Sequence, residues 1–279
     1  MRSAILITGA STGIGNAAAA CLAGRGYTVF AGVRTQADAQ RVRAQNERIE
    51  PLILDVTRDG DAAKAAQVIE RSGTPLSGVV NNAGIVVAGA LEYLPIDELR
   101  KQFEVNVFGA LAVTQAVLPL LRRSNGRIVF VSSVSGQIAP PYIGPYAASK
   151  FALEAMADAL RMELAPFGIV VSVIQPGNVK TPIWQKGRDA KPAIMARMSA
   201  QALEHYGAAM ETVSRLTQRE ERTGIAPQTV AQTILCALES PRPRARYAIG
   251  SPSTWQRRMA VLLPERVRDQ LILKNFKNG

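Results

Sequence analysis

Short, continuous apolar runs alternate with longer stretches of helical periodicity along most of the chain. Residues 4–8, 27–33, 51–55, 78–81, 127–132, 169–174 and 246–249 read as strands. Most of them lack polar alternation, the mark of strands buried on both faces in a parallel sheet covered by helices. Between them, residues 13–23 are alanine-rich and are stopped by Gly24 and Gly26. Thr57 is the expected N-cap of a helix reaching Arg71. Residues 96–123 read as one long helix that Pro119 kinks or ends. Residues 145–166 read as another, with Pro145 suited to the first turn and Gly168 to the stop. This β-α alternation predicts a doubly wound parallel sheet within one α/β domain over 1–279, with ligands at the carboxyl ends of the strands.

Two segments depart from the pattern. Residues 185–225 carry basic residues, Met195, Met198 and Met210 but no clear strand, and are expected to form a helical substrate lid before the last strand. Residues 251–279 form a basic, partly amphipathic helical tail through Trp255, Arg257, Arg258, Leu262, Leu263, Arg266, Arg268, Leu271, Ile272, Lys274 and Phe276. The preferred reading packs this tail on the lid or on a partner subunit. Peripheral contact with an anionic membrane is the alternative, which Pro264 weakens.

Composition narrows the classes. The chain has 279 residues, 47% hydrophobic and 20% charged, an ordinary globular balance. Its net charge of +11 is dispersed, without basic stretches interleaved with aromatics, so a basic surface is expected rather than nucleic-acid binding. The apolar run at 4–7 is too short for a signal peptide, and no charge-free apolar stretch of about 18 residues suggests a membrane span. Cys21 and Cys236 lie far apart in helical patterns and read as buried free thiols, which fits a reducing, cytoplasmic setting.

The first strand runs into Thr8-Gly9-Ala10-Ser11-Thr12-Gly13-Ile14-Gly15 and then a helix. Such glycines let backbone N–H groups approach a phosphate, and the helix N-terminus favours the anion. This turn resembles the cofactor signature of the short-chain dehydrogenase/reductase family, whose fold is of the Rossmann type. Further motifs follow in family order: Asn81-Asn82-Ala83-Gly84, Asn106, Ser133 thirteen residues before Tyr146, Tyr146-Ala147-Ala148-Ser149-Lys150, and Pro176-Gly177 followed by Thr181. Phrases around Asn106, Lys150 and Gly168 are similar to the steroid and retinol dehydrogenase branch. Residues 185–279 carry little of this signal.

Tyr146 and Lys150 are four apart on a predicted helix and share a face. A neighbouring ammonium is expected to lower the phenol pKa towards working pH, and Ser133 to hold the substrate oxygen. Ser132 is the alternative serine. The resemblance gives Lys150 a contact to the nicotinamide ribose and Asn106 a part in a water-borne proton relay, with a structural helix kink as the other reading of Asn106. It also implies cofactor contacts from Gly9, Ser11, Thr12, Gly13, Ile14, Gly15, Asn82, Ala83, Gly84, Pro176, Gly177, Val179 and Thr181. The NAD-selecting acidic position falls on Val33 and is followed by Arg34, which favours NADP over NAD. Thr12, where some NADP users have a second basic residue, counts against it. Asp55 and Val56 resemble the adenine contacts. No metal is expected; His205 is the single histidine.

The expected function is interconversion of an apolar secondary alcohol and a ketone, by hydride transfer with Tyr146 as general acid/base, in a homo-dimer or homo-tetramer. A catalytically silent nucleotide-binding protein, or an epimerase or dehydratase on the same fold, are the alternatives.

Overall fold

Side chains of the first strand, β1 (Ala4–Ile7), are all buried because they alternate between two cores. Ile5 and Ile7 join one apolar cluster, and Ala4 and Leu6 the other. The computed structural model describes residues 3–250 and 262–277. Within them, β1 is joined by β2 (Thr28–Val33), β3 (Ile49–Ile53), β4 (Leu76–Asn81), β5 (Arg127–Val131), β6 (Val170–Pro176) and β7 (Arg246–Ile249). All neighbours pair in parallel, in the order β3-β2-β1-β4-β5-β6-β7. One face is covered by α1 (Gly13–Gly24), α2 (Gln36–Arg43) and α9 (Pro227–Glu239). The other is covered by α3 (Asp61–Arg71), α5 (Gly109–Ser124) and α6 (Gly144–Leu164). The strand order reverses at β1 and β4, which opens a crevice at their carboxyl ends.

The helices differ from expectation in three places. Residues 96–124 do run as one continuous helical stretch, but α4 (Ile96–Phe103) passes into a π-helical turn, Glu104–Phe108, before α5 begins. Pro119 lies inside α5, which continues to Ser124. The irregularity therefore sits at Asn106 and not at the proline, since an i→i+5 turn rotates one residue out of helical phase. Thr57 does not cap α3, which starts at Asp61 behind Gly60. Instead Thr57 donates its N–H and hydroxyl to Oδ1 of Asp55, at 3.0 and 2.7 Å. α2 has no counterpart in the apolar pattern, because only Ala39 and Val42 of its eight residues are buried.

Between β6 and β7 the chain forms α7 (Ile183–Met195) and α8 (Ala200–Thr223) before α9. This excursion is pinned where it leaves and returns: Ile225 pairs with Val179, its N–H donating to the Asn178 carbonyl at 2.9 Å. Arg197 binds Asp97 of α4 in bidentate fashion at 2.7 and 2.8 Å. The last helix is α10 (Glu265–Lys277). Trp255, Arg257 and Arg258 of the expected tail lie outside the described residues.

Candidate active site

A cavity of about 1210 Å³ opens at the strand-order reversal. The turn after β1 forms one end of it. Gly9 has φ +64°, and a Cβ there would lie 2.9 Å from Cα of Ala83. Gly15 meets Asn82 so closely that a Cβ would fall 2.4 Å from its Nδ2. Both positions require glycine. Asn82 closes this junction by donating from Nδ2 to the carbonyls of Thr8 and Gly9, at 2.9 and 3.1 Å. The buried Thr8 hydroxyl accepts the N–H groups of Asn82 and Ala83, each at 3.0 Å. Thr8 was not among the expected site residues, although its place directly before Gly9 is the signal for it. Arg41 of α2 was missed likewise; it donates to the Ser11 carbonyl at 3.0 Å.

Of the expected cofactor residues, Gly9, Ser11, Thr12, Gly13, Ile14, Arg34, Asp55, Val56, Asn82, Ala83 and Gly84 line this cavity. So do Tyr146, Lys150, Pro176, Gly177, Val179 and Thr181. Gly15 does not line it and acts through the Asn82 contact. Burial raises the Asp55 pKa, but the two Thr57 hydrogen bonds and the Arg34 and Arg58 cations outweigh it, so the carboxyl sits below its usual range. Both Thr57 donors bind the same Asp55 oxygen, Oδ1.

Ser133, Tyr146 and Lys150 come together where β5, α6 and the following turns meet. Ser133, two residues past the end of β5, caps a 3₁₀ turn, Val134–Gly136, by accepting the Ser135 N–H at 3.1 Å. Its hydroxyl lies near enough to the Tyr146 phenol to lower the phenol pKa against burial. Ser132, the alternative, is buried and its Oγ has no hydrogen-bond partner among the described residues. Lys150 is buried one turn beyond Tyr146, with Nζ donating to the Val131 carbonyl at 2.9 Å and lying 5.6 Å from the Tyr146 ring centre.

Two expectations are corrected here. Lys150 does not lower the Tyr146 pKa: burial pushes the phenol up to about 12, opposed only by the Ser133 hydroxyl. Lys150 is itself pushed down to about 8 by burial, against the pull of Glu154. Desolvation sets the direction of both shifts. Asn106 does not line the cavity. Its carboxamide accepts the Ile85 N–H at 2.9 Å and donates to the Ile85 carbonyl and Ser149 hydroxyl, each at 3.1 Å.

Beyond the serine turn the wall becomes apolar, with Ile85, Val134, Ile138, Pro140, Pro141, Ile143, Ile183 and Trp184. Trp184 of α7 meets Tyr146 edge-on at 5.8 Å. Leu263, Leu271, Ile272 and Phe276, on and just before α10, complete it. Phe276 stacks on Tyr142 at 5.3 Å. The tail thus packs over the site, while Leu262, Val267 and Leu273 stay exposed.

The short chain dehydrogenase family model matches residues 3–192. An NADPH-dependent 3-dehydrocapnine reductase from Ornithobacterium rhinotracheale is 33% identical over 99% of this chain and 98% of its own. Retinol dehydrogenase 5 from Mus musculus is 34% identical over 96% of this chain and 87% of its own. A short chain dehydrogenase from Burkholderia cenocepacia, solved in complex with NADP, superposes with a TM-score of 0.75 at 25% identity, covering 96% of this chain and 97% of that one. The chain is an oxidoreductase that belongs to the short-chain dehydrogenase family, in its steroid and retinol dehydrogenase branch.

Proposed function

We propose that this protein reduces an apolar ketone to a secondary alcohol with NADPH, NADH being the alternative cofactor. The observation that carries the reading is a buried Tyr146 lining the cavity together with Ser133 and Lys150, whose Nζ lies 5.6 Å from the tyrosine ring centre, at the point where the glycine-turn end of the cavity meets its apolar wall. Arg34 supplies a cation for a ribose 2′-phosphate, and both the Ornithobacterium relative and the Burkholderia structure use NADP.

A nicotinamide cofactor held along the glycine-turn end of the cavity would supply the hydride. Tyr146, protonated at neutrality, donates its proton to the ketone oxygen, which Ser133 holds through a second hydrogen bond. Phenolate then forms in a dry site, and the Lys150 ammonium beside it offsets the buried negative charge. Asn106 is a positioning residue, holding Ile85 against the cavity. α7 and α8 form a lid whose Trp184 and Leu216 select apolar substrates. Exposed Phe108, Phe151 and Met162 on and beside α5 and α6 favour assembly with a second copy.

The test is fluorescence titration with NADPH and NADH, with Tyr146→Phe assayed on a panel of apolar ketones. Tighter NADPH binding is expected, with turnover lost in the variant and cofactor affinity kept. If neither cofactor binds, the reading is wrong.

A further inference from the structure

Glu154 is a nearly fully buried carboxylate, one helical turn beyond Lys150 on α6 and outside the cavity lining. Each oxygen has its own partner. Oε1 accepts from Nε2 of Gln175 at 2.9 Å, and Oε2 pairs with Nε of Arg246 at 2.9 Å. Arg246, on β7, also binds Asp158 a further turn along α6 at 2.6 Å, and Asp158 pairs with Arg161. Gln175 is buried and directly precedes Pro176, where the cavity wall begins. The serine turn presses on the same spot. A Cβ on Gly136 would lie 3.0 Å from Glu154 Cγ, 3.2 Å from the Lys150 carbonyl oxygen and 2.8 Å from Ser132 Oγ. One carboxylate thus joins the helix of Tyr146 and Lys150, the turn of Ser133 and the end of β6.

Apolar side chains would bind these elements together at least as well, because a buried charge loses hydration that pairing only partly restores. A role for the charge itself is therefore called for. Residues four apart on a helix are neighbours, and Lys150 is the neighbour in need. Its burial favours the neutral amine, and Glu154 is the group that opposes this. Other groups packed on this part of α6 are uncharged: the Tyr146 phenol, the Val131 carbonyl, the hydroxyls of Ser132, Ser133, Ser135 and Ser149, and the carboxamides of Gln175 and Asn106. Lys101 and Glu104 face the cavity from α4 and the π turn, both solvent-exposed. Behind Glu154 stand Arg246, Asp158 and Arg161.

We propose that Glu154 is a positioning residue for the reacting pair: held by Arg246 and Gln175, its carboxylate keeps the Lys150 ammonium charged in the core and locks α6, the serine turn and the end of β6 in register. This rests on the role given to Lys150 above. Arg246 damps the same field, so the two partners act on Lys150 with opposite sign.

The experiment is a ¹³C NMR titration of the full chain carrying ε-¹³C-lysine, with the Lys150 signal assigned through Lys150→Arg. Glu154→Gln is expected to lower the Lys150 midpoint by about one pH unit. Arg246→Gln is expected to raise it, and Glu154→Asp to recover part of the wild-type value. If thermal stability falls in both variants while the midpoint stays, Glu154 is purely structural and the proposal is overturned. A shift of both in the same direction also overturns it. Should Glu154→Gln not fold, Arg246→Gln decides alone, and the midpoint must rise. Failure of the underlying reading looks different: Lys150→Met would then keep NADPH binding and ketone turnover, whatever the titration shows.

Discussion

Asn106 holds Ile85 by both of its backbone groups, accepting from its N–H at 2.9 Å and donating to its carbonyl at 3.1 Å. Ile85 lines the cavity next to Gly84, so the π turn transmits its position directly to the site. Asn106→Ala leaves the Ile85 N–H without that partner, at about 1–3 kcal/mol, while Gln102 Nε2 still donates to the Ile85 carbonyl at 2.8 Å. Urea denaturation of the variant should show a stability loss in that range, together with reduced turnover. Unchanged stability would mean that water replaces the clamp.

Ser133 and Ser132 are adjacent, yet only Ser133 lowers the Tyr146 phenol pKa, while the Ser132 hydroxyl has no hydrogen-bond partner among the described residues. Ser133→Ala is expected to lower kcat by about 10²–10³, the usual loss for one donor to a developing oxyanion. Ser132→Ala should change kcat less than about threefold, since no hydrogen bond is removed. Steady-state kinetics on one ketone decides between them; equal losses would refute the assignment.

These two residues also show what a sequence can and cannot reveal. The parallel sheet was legible because its strands are continuous apolar runs buried on both faces, and the site was legible because its motifs are local spacings. The Asn106 clamp was not, since a π turn has no periodicity signal and Ile85 is remote in sequence. Thr57 was misplaced for a related reason: Asp55 took its donors into a turn, and Gly60 began the helix. The direction of the Tyr146 shift was also hidden, because spacing reports a neighbour's charge but not the burial that outweighs it.

Activity should carry an alkaline limb set by Lys150 and not by Tyr146. Lys150 titrates near 8 and Tyr146 near 12, so raising the pH removes the ammonium first. Reduction should fall as pH rises through about 8, and Lys150→Arg, if active, should move that limb upward. The stability term has the other sign. Lys150 has a lower pKa folded than unfolded, so the unfolded chain binds more protons between about 8 and 10.5, and this group's contribution grows across that window. Its full size is about 3 kcal/mol. Comparing the pH dependence of unfolding in wild type and Lys150→Met isolates it; identical slopes would refute it.

Arg34 is exposed at the end of β2 and lines the cavity close enough to Asp55 to lower its pKa. A hydrogen-bonded charge pair with a ribose 2′-phosphate is worth about 1.5–3 kcal/mol, or about 10–100-fold in affinity. Arg34→Asp should weaken NADPH by at least that factor and leave NADH unchanged or tighter. Competitive fluorescence titration measures both. Equal weakening of the two cofactors would show that Arg34 serves the fold or the pyrophosphate rather than the 2′-phosphate.

Phe276 forms part of the wall farthest in sequence from the glycine turn. Its ring stacks on Tyr142, which holds φ +67° and whose carbonyl accepts the Gly89 N–H at 2.7 Å. A non-glycine residue in that region is strained unless its surroundings hold it there. Tyr142 also meets Tyr206 of α8 edge-on at 6.1 Å, so α10, α8 and the loop before α6 converge on one ring. Phe276→Ala removes apolar surface from the cavity and the prop from Tyr142. For a long-chain ketone, losing about 1–2 kcal/mol of apolar contact raises KM about tenfold. A short ketone that does not reach α10 should keep its KM, and NADPH affinity should not change. Equal rises for long and short ketones would mean that Phe276 acts through Tyr142 on the site as a whole. No rise for either would remove α10 from the substrate wall.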